Sequence, residues 1–380
     1  MFAVIAFILI LSFLVFIHEL GHFLAAKKSG VIVEEFGIGY PPRAIKLFTW
    51  KETVFTLNYI PFGGFVRLAG EQAEYEEVHT KAEREKFKKT DQGKFYAAAT
   101  PQKLLILLAG AAFNLIFGLL AFTFIYSHLG IPEPISTPRI GAVMPDTPAA
   151  EAGMREGVEI LHIKADEVTH LVSTPEQVVD LVAENSGKTV TIMTTGNCEG
   201  FSCAESLESY EIYLRTEAET PEGQGSMGII FQPTAFIEYP WWQMPFKSAW
   251  YGLQQTVFLS EQILIALGSM MSDLIFGGEV PRDVAGPIGI VHQASTAGIF
   301  ADGFVTILSF AAMLSINLAI MNVLPIPPLD GGRAVFIVFQ SFVSEKYAKP
   351  LEYYLNYGGY FLLLVLIVLI TARDIWRIFG

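Results

Sequence analysis

Apolar residues fall along this chain in four long blocks, separated by intervals of different texture. Residues 2–26 form the first block; residues 2–17 carry no charge, and the first lysines are Lys27 and Lys28. Residues 104–126 form the second, about 304–324 the third and about 357–371 the fourth. A helix crosses the hydrocarbon core with roughly 20 apolar residues, so each block predicts a transmembrane helix. The third block ends in Pro325, Pro327, Pro328, Gly331 and Gly332, which cannot continue a regular helix. Irregular backbone at membrane depth is tolerated where it is buried or lines a wet cavity.

In the polar interval 27–103 the apolar period shortens to two. Residues 53–60 alternate and are rich in β-branched and aromatic side chains, which predicts a strand. Gly63-Gly64 predicts a turn and Phe65-Val66-Arg67-Leu68 a return strand. With residues 36–40 before them, these make a small sheet or hairpin lying against the membrane. Residues 71–94 are dense in charge and predict a solvated helix or loop. Residues 130–235 read as one soluble α+β domain: strands at 139–143, 158–163 and 188–194, a short glycine-capped helix at 148–153 and a helix at 175–184. Residues 239–290 mix polar and apolar positions behind Trp241, Trp242, Trp250 and Tyr251. They predict an interfacial, amphipathic helical segment that does not span. Residues 304–332 hold the third span and its broken end, 333–356 a cytosolic connector, and 357–380 the fourth span and C-terminus. The fold class is a polytopic α-helical membrane protein with a membrane-associated β-hairpin and an inserted α+β domain.

Composition agrees. Of 380 residues, 52% are hydrophobic and 17% charged, which suits a membrane protein carrying a soluble part. The formal net charge of −13 argues against nucleic acid as a partner. From 133 to 238 there are eighteen acidic and five basic residues, a difference of thirteen, so the whole excess sits in the soluble interval. Thirteen of the 25 Lys and Arg lie in 27–103, which places that interval in the cytosol and the N-terminus and soluble domain outside. The first block lacks a basic leader and is expected to be a retained span. Cys198 and Cys203 are either bridged outside the cell or two free thiols.

The chemistry concentrates in His18-Glu19-Leu20-Gly21-His22, inside the first span. Residues four apart share a helix face, so His18 and His22 present two imidazoles together, half of a tetrahedral zinc site. Glu19, one residue round, reaches a water beside such an ion and suits a general base. The alternative is a hydrogen-bonded polar cluster joining helices. A catalytic zinc needs a third protein ligand. Asp330, at the broken end of the third span and on the cytosolic side, is the first choice, ahead of Glu261 and Asp273. Asn114 in the second span is either an interhelical bridge or an active-site donor. A scaffold would have no use for Glu19, and a transporter built on broken helices would show an internal repeat, which is not visible here.

These residues resemble a family. His18 to His22, then Asn322-Val323-Leu324-Pro325-Ile326-Pro327-Pro328-Leu329-Asp330-Gly331, a small-residue second span with Asn114 and one intervening domain are similar to the site-2 proteases. The likeness is greatest to the bacterial regulator-of-sigma-E type of intramembrane metalloprotease and covers nearly the whole chain. It implies one zinc ion per chain held by His18, His22 and Asp330, with Glu19 as base. Asn114 and Asn322, the latter with Pro325 and Pro327, would hold substrate or oxyanion. Thr53, Val54, Phe55, Thr56 and Leu57 would pair with an unwound substrate strand. The soluble domain would be PDZ-like, with a groove at Ile140, Gly141 and Ala142. Substrates would be single-span membrane proteins cut in or near their spans, such as anti-sigma factors or signal-peptide remnants.

Overall fold

The computed structural model describes residues 2–71, 93–199, 202–203, 205–221, 223–273, 276, 285–343 and 345–379. The charged interval expected at 71–94 lies almost entirely outside the described residues. In chain order the elements are α1 (Phe2–Lys28), β1 (Val33–Trp50), β2 (Thr53–Leu68), α2 (Thr100–Leu129), β3 (Ile131–Pro134) and β4 (Ile140–Val143). Next come α3 (Pro148–Glu151), β5 (Val158–Ala165), β6 (Val168–Leu171), α4 (Pro175–Glu184), β7 (Thr189–Glu199), β8 (Ser202–Cys203) and β9 (Glu208–Tyr213). The last are β10 (Ile229–Phe231), β11 (Thr234–Ile237), α5 (Met244–Ser272), α6 (Pro287–Thr296), α7 (Phe304–Val323), α8 (Asp330–Gln340) and α9 (Glu345–Phe379).

One unit comprises residues 1–125 and 249–380. Four of its helical stretches are long and apolar enough to cross a membrane: Phe2–Lys28, Thr100–Leu129, Phe304–Val323 and Tyr354–Ile378. Their outer faces leave Leu9, Leu120, Leu362, Val368 and Leu369 exposed, an apolar surface that needs hydrocarbon around it. The interfacial segment expected at 239–290 contains one continuous 29-residue helix, α5, which is not among those four. The expected break at Gly286-Pro287 is the start of α6. There the buried Asp374 of α9 accepts the Gly286 and Gly289 N–H groups at 3.3 and 2.8 Å, satisfying donors that a helix start leaves free.

The sheet departs from expectation. Gly63-Gly64 does not turn; β2 runs through it from Thr53 to Leu68. The reversal is at Lys51-Glu52, both in the left-handed region with φ 45° and 69°. β1 and β2 pair antiparallel overall and are long enough to fold over, which gives several runs of pairing. Residues 43–50 lie against 53–58, and residues 33–38 against 64–68. Residues 35–38 also pair with 54–57, their numbers rising together. The order across the sheet is therefore 43–50, 53–58, 33–38, 64–68. Phe36 and Phe55 stack, and Phe23 of α1 meets both edge-on, which fixes the sheet to the helix that carries the histidines.

Glu35 knits the sheet together. It accepts from Arg43 Nη2 at 2.8 Å and from Thr56 Oγ1 at 2.8 Å, and Arg67 stands 3.4 Å away. Burial pushes its carboxyl up, but the bonds from Arg43 and Thr56 outweigh this and hold it below the ordinary carboxylate range.

The second unit, residues 126–248, is an α+β fold. β5 pairs with β6 on one side and β7 on the other, β7 pairs onward with β9 and β8, and β4–β10 and β3–β11 form two short antiparallel pairs. Val158, Ile160, Ile163, Val190, Ile192 and Ile212 fill its core with Val178 and Val182 of α4. Thr174 caps α4 and Pro175 opens it, the signals that predicted a helix there. Cys198 and Cys203 face each other across β7–β8 and are bonded.

Glu35→Ala is expected to lower the stability of the detergent-solubilised protein by about 1–3 kcal/mol, read as a lower midpoint in thermal unfolding. A depressed folded pKa contributes stability that is present above the ordinary value of 4.5 and lost as pH falls through the lower folded value. The wild-type midpoint should therefore fall more steeply below that pH than that of the Ala variant.

Candidate active site

The four-residue spacing of His18 and His22 on α1 brings their Nε2 atoms to 3.0 Å of each other. Asp330 is the first residue of α8, and its Oδ2 lies 3.0 Å from His18 Nε2 and 3.3 Å from His22 Nε2. The three side chains are only 11, 12 and 18% exposed. A tetrahedral zinc ion with bonds of about 2.0–2.2 Å holds its ligand atoms roughly 3.3–3.6 Å apart. The triangle is thus a zinc triangle contracted by a few tenths of an ångström. Among the described residues the two imidazoles are the only ion-pair partners of Asp330. With Glu19 alongside, two carboxylates face two imidazoles, and a divalent cation balances that charge.

α2 builds the wall of this site from residues spaced by four: Ile106, Gly110 and Asn114 lie along one stripe. The His22 Nδ1–H donates to the Ile106 carbonyl at 2.7 Å, which orients the ring and leaves Nε2 free to ligate. Gly110 is glycine for want of room: a β-carbon there would lie 2.5 Å from His22 Nε2 and 2.7 Å from His18 Nε2. Gly21 matches it from α1, where a β-carbon would lie 2.4 Å from the Ala109 oxygen. Asp330 is delivered by the break after α7. The chain doubles back so tightly that a β-carbon on Gly331 would lie 2.1 Å from the Val323 oxygen. Glu261 and Asp273 are exposed and join no group with the histidines, so the geometry favours Asp330 for the third position.

Glu19 is half-buried beside the sheet. A β-carbon on Gly64 would lie 3.7 Å from Glu19 Cγ. The local pattern of this strand predicts a return arm of a hairpin and does not place Gly64 beside Glu19.

A family model described as peptidase family M50 matches residues 6–366. The chain belongs to this family. It is similar to the zinc metalloprotease RasP of Geobacillus kaustophilus, 27% identical over 445 residues, covering 99% of this chain and 98% of that one. It is also similar to the regulator of sigma-W protease RasP of Bacillus subtilis, 28% identical, covering 99% of each chain. This M50 peptidase is accordingly a zinc metalloprotease and an integral membrane protein.

The remaining expected site residues of the M50 chain fall into distinct places. Asn114 is fully buried, and neither atom of its amide has a hydrogen-bond partner among the described residues. The Ser315 hydroxyl donates instead to the Asn114 backbone oxygen, at 2.9 Å. An unpaired buried amide costs about 1–3 kcal/mol, so it does not serve as an interhelical bridge here. Asn322 is half-buried near the end of α7; Pro325 is exposed and Pro327 half-buried in the segment leading to Asp330. Thr53 to Leu57 do not form an exposed edge: residues 53–57 are flanked by 45–50 and 35–38, and Thr53 and Thr56 are fully buried. Among the described residues the unpaired edge beside Glu19 is residues 64–68. Ile140 to Ala142 offer no free edge either. β4 pairs with β10 on one side, and on the other the Gly157 N–H donates to the Ile140 oxygen and the Val143 N–H to Glu156. Ile140 and Gly141 instead border a surface cavity of about 570 Å³ with Glu156, Asn197 and Gln232.

Gly110→Ala puts a methyl group among the three ligand atoms. Purified G110A is expected to retain under a tenth of the wild-type zinc after dialysis, measured by elemental analysis, while Gly268→Ala, in open space on α5, retains all of it.

Proposed function

We propose that this peptidase hydrolyses peptide bonds in or near the membrane spans of single-span proteins, with zinc held by His18, His22 and Asp330. The observation that carries the reading is the triangle of two Nε2 atoms and one Oδ2, next to Glu19, on a helix long and apolar enough to cross a bilayer. Bound there, zinc supplies Lewis-acid polarisation of the scissile carbonyl and makes a water acidic enough to deprotonate near neutral pH. Glu19 takes the proton from the attacking water and returns it to the leaving amine. The Asn114 amide, buried and without a partner, suits a donor to the developing oxyanion, and Asn322 is the alternative.

A peptide bond in a helical span is shielded, since its backbone groups already bond within the helix. Cleavage requires an extended substrate. Strand addition to the edge at 64–68 supplies this by exchanging helix hydrogen bonds for sheet bonds, beside Glu19. Substrates with weak, glycine-containing or polar-containing spans are favoured. The basic interval 27–103 places the edge and zinc site toward the cytosol, with the N-terminus and residues 130–235 outside. The name of the Bacillus subtilis relative, a regulator of sigma-W protease, supports anti-sigma factors as a substrate class within regulated intramembrane proteolysis.

Glu19→Gln is expected to keep its zinc and lose at least 10²-fold, roughly, in cleavage of a single-span reporter, in line with loss of a general base. Asp330→Asn should lose the metal itself. Reporter cleavage by Glu19→Gln at the wild-type rate, or full zinc occupancy in Asp330→Asn, would remove those assignments.

A further inference from the structure

Among the described residues the outer side of 64–68 pairs with no strand, and a carboxylate already engages one of its donors. N–H groups of alternate strand residues point to opposite sides. The Ala69 N–H donates to the Ile32 oxygen at 2.9 Å, so odd-numbered donors of this strand face the interior of the sheet. Even-numbered donors, at Val66 and Leu68, therefore face outward. The Leu68 N–H donates to Glu71 Oε2 at 3.4 Å, and Glu71 Oε1 is gripped by Arg333 Nη1 at 2.7 Å. Both members of that ion pair are largely buried, at 23 and 31% exposed. Arg333 lies on α8, three residues after Asp330 and on the same turn of helix. The pair therefore ties the end of the edge strand to the element that delivers the third ligand.

We infer that Glu71, held by Arg333, occupies the backbone donor that an incoming substrate strand must take, so that this ion pair sets the threshold for substrate entry. A substrate pairing along 64–68 places a carbonyl oxygen where the Glu71 oxygen now sits. The carboxylate imitates that carbonyl and competes with it. Only a span that unwinds readily enough to displace a charge-assisted hydrogen bond reaches Glu19. Glu71 and Arg333 are specificity-determining and touch no reacting atom. The inference rests on the strand-addition reading above.

The test uses the zinc-loaded full chain in detergent and a fluorescent single-span reporter, comparing wild type with Glu71→Gln and Arg333→Gln. Glu71→Gln is expected to lower KM by about five- to tenfold, which at tenfold corresponds to ~1.4 kcal/mol. Arg333→Gln frees Glu71 without removing it and should lower KM by about two- to threefold, by the same conversion. A purely structural role would raise KM or leave it alone, and either result in both variants overturns the inference. Hydrogen–deuterium exchange of the peptide covering 64–71, with no substrate present, gives a second arm. Faster exchange at Leu68 in both variants is expected, and unchanged protection overturns the inference. Should Glu71→Gln fail to accumulate, Arg333→Gln carries both arms. Wild-type protein that does not cut the reporter, or Glu19→Gln that does, counts against the proposed function, while the exchange arm still decides the fate of the latch.

Discussion

Two imidazoles and two carboxylates are enclosed where α1, α2 and α8 meet, and water is largely excluded from them. Without compensation that burial costs several kcal/mol for each charged group. The helices do not relieve it: His18 Nδ1 and both amide atoms of Asn114 are buried with no partner among the described residues. A zinc ion held by His18, His22 and Asp330, as proposed, would relieve it by taking their inward lone pairs at once. Much else in this unit follows from bringing those three atoms within ångströms of one another. Gly21 and Gly110 let α1 and α2 approach until backbone meets ring, and the break after α7 lets a carboxylate enter from a separate span. Small residues at such contacts are the usual means of close approach in a membrane, where burial against lipid gives no hydrophobic drive.

In the proposed function the sheet answers a second requirement, that a helical substrate be made into a strand before it can be cut. Its folded-over pairing buries Thr53 and Thr56 inside and turns residues 64–68 outward. The aromatic cluster of Phe23, Phe36 and Phe55 fixes the sheet to α1, so the edge donors keep their place relative to Glu19. Edge strands are ordinarily guarded against unwanted pairing, often with charge. Here the Glu71 carboxylate sits on the Leu68 N–H of that edge.

The second unit has its own aliphatic core and carries nearly all of the chain's acidic excess, eighteen acidic against six basic residues. Its β4 pairs with β10 on one side and is met on the other by the Gly157 N–H and Glu156. β10, which pairs with β4 on one side, is the neighbouring strand in that pair.

Much of this molecule was legible in the chain. The four apolar blocks, the helical spacing of His18 and His22 and the Pro- and Gly-rich break before Asp330 are local patterns, and local patterns follow from backbone geometry and solvent preference alone. The Asp330 carboxylate could be matched to the histidines because few acidic residues lie beside a span. Pairing was not legible. Gly63-Gly64 suits a turn on its own, yet the strand runs through it, and the turn falls at Lys51-Glu52 instead. Which side of residues 53–57 is covered depends on a strand twenty residues away. The vacancy at Gly110, the Ile106 carbonyl on His22 and the grip of Arg333 on Glu71 each join residues dozens to hundreds of positions apart. The sequence alone determined which groups must leave water. Only the tertiary structure decided which of them meet, because contacts across the fold are set by packing and register, and neither leaves a periodic mark on the chain.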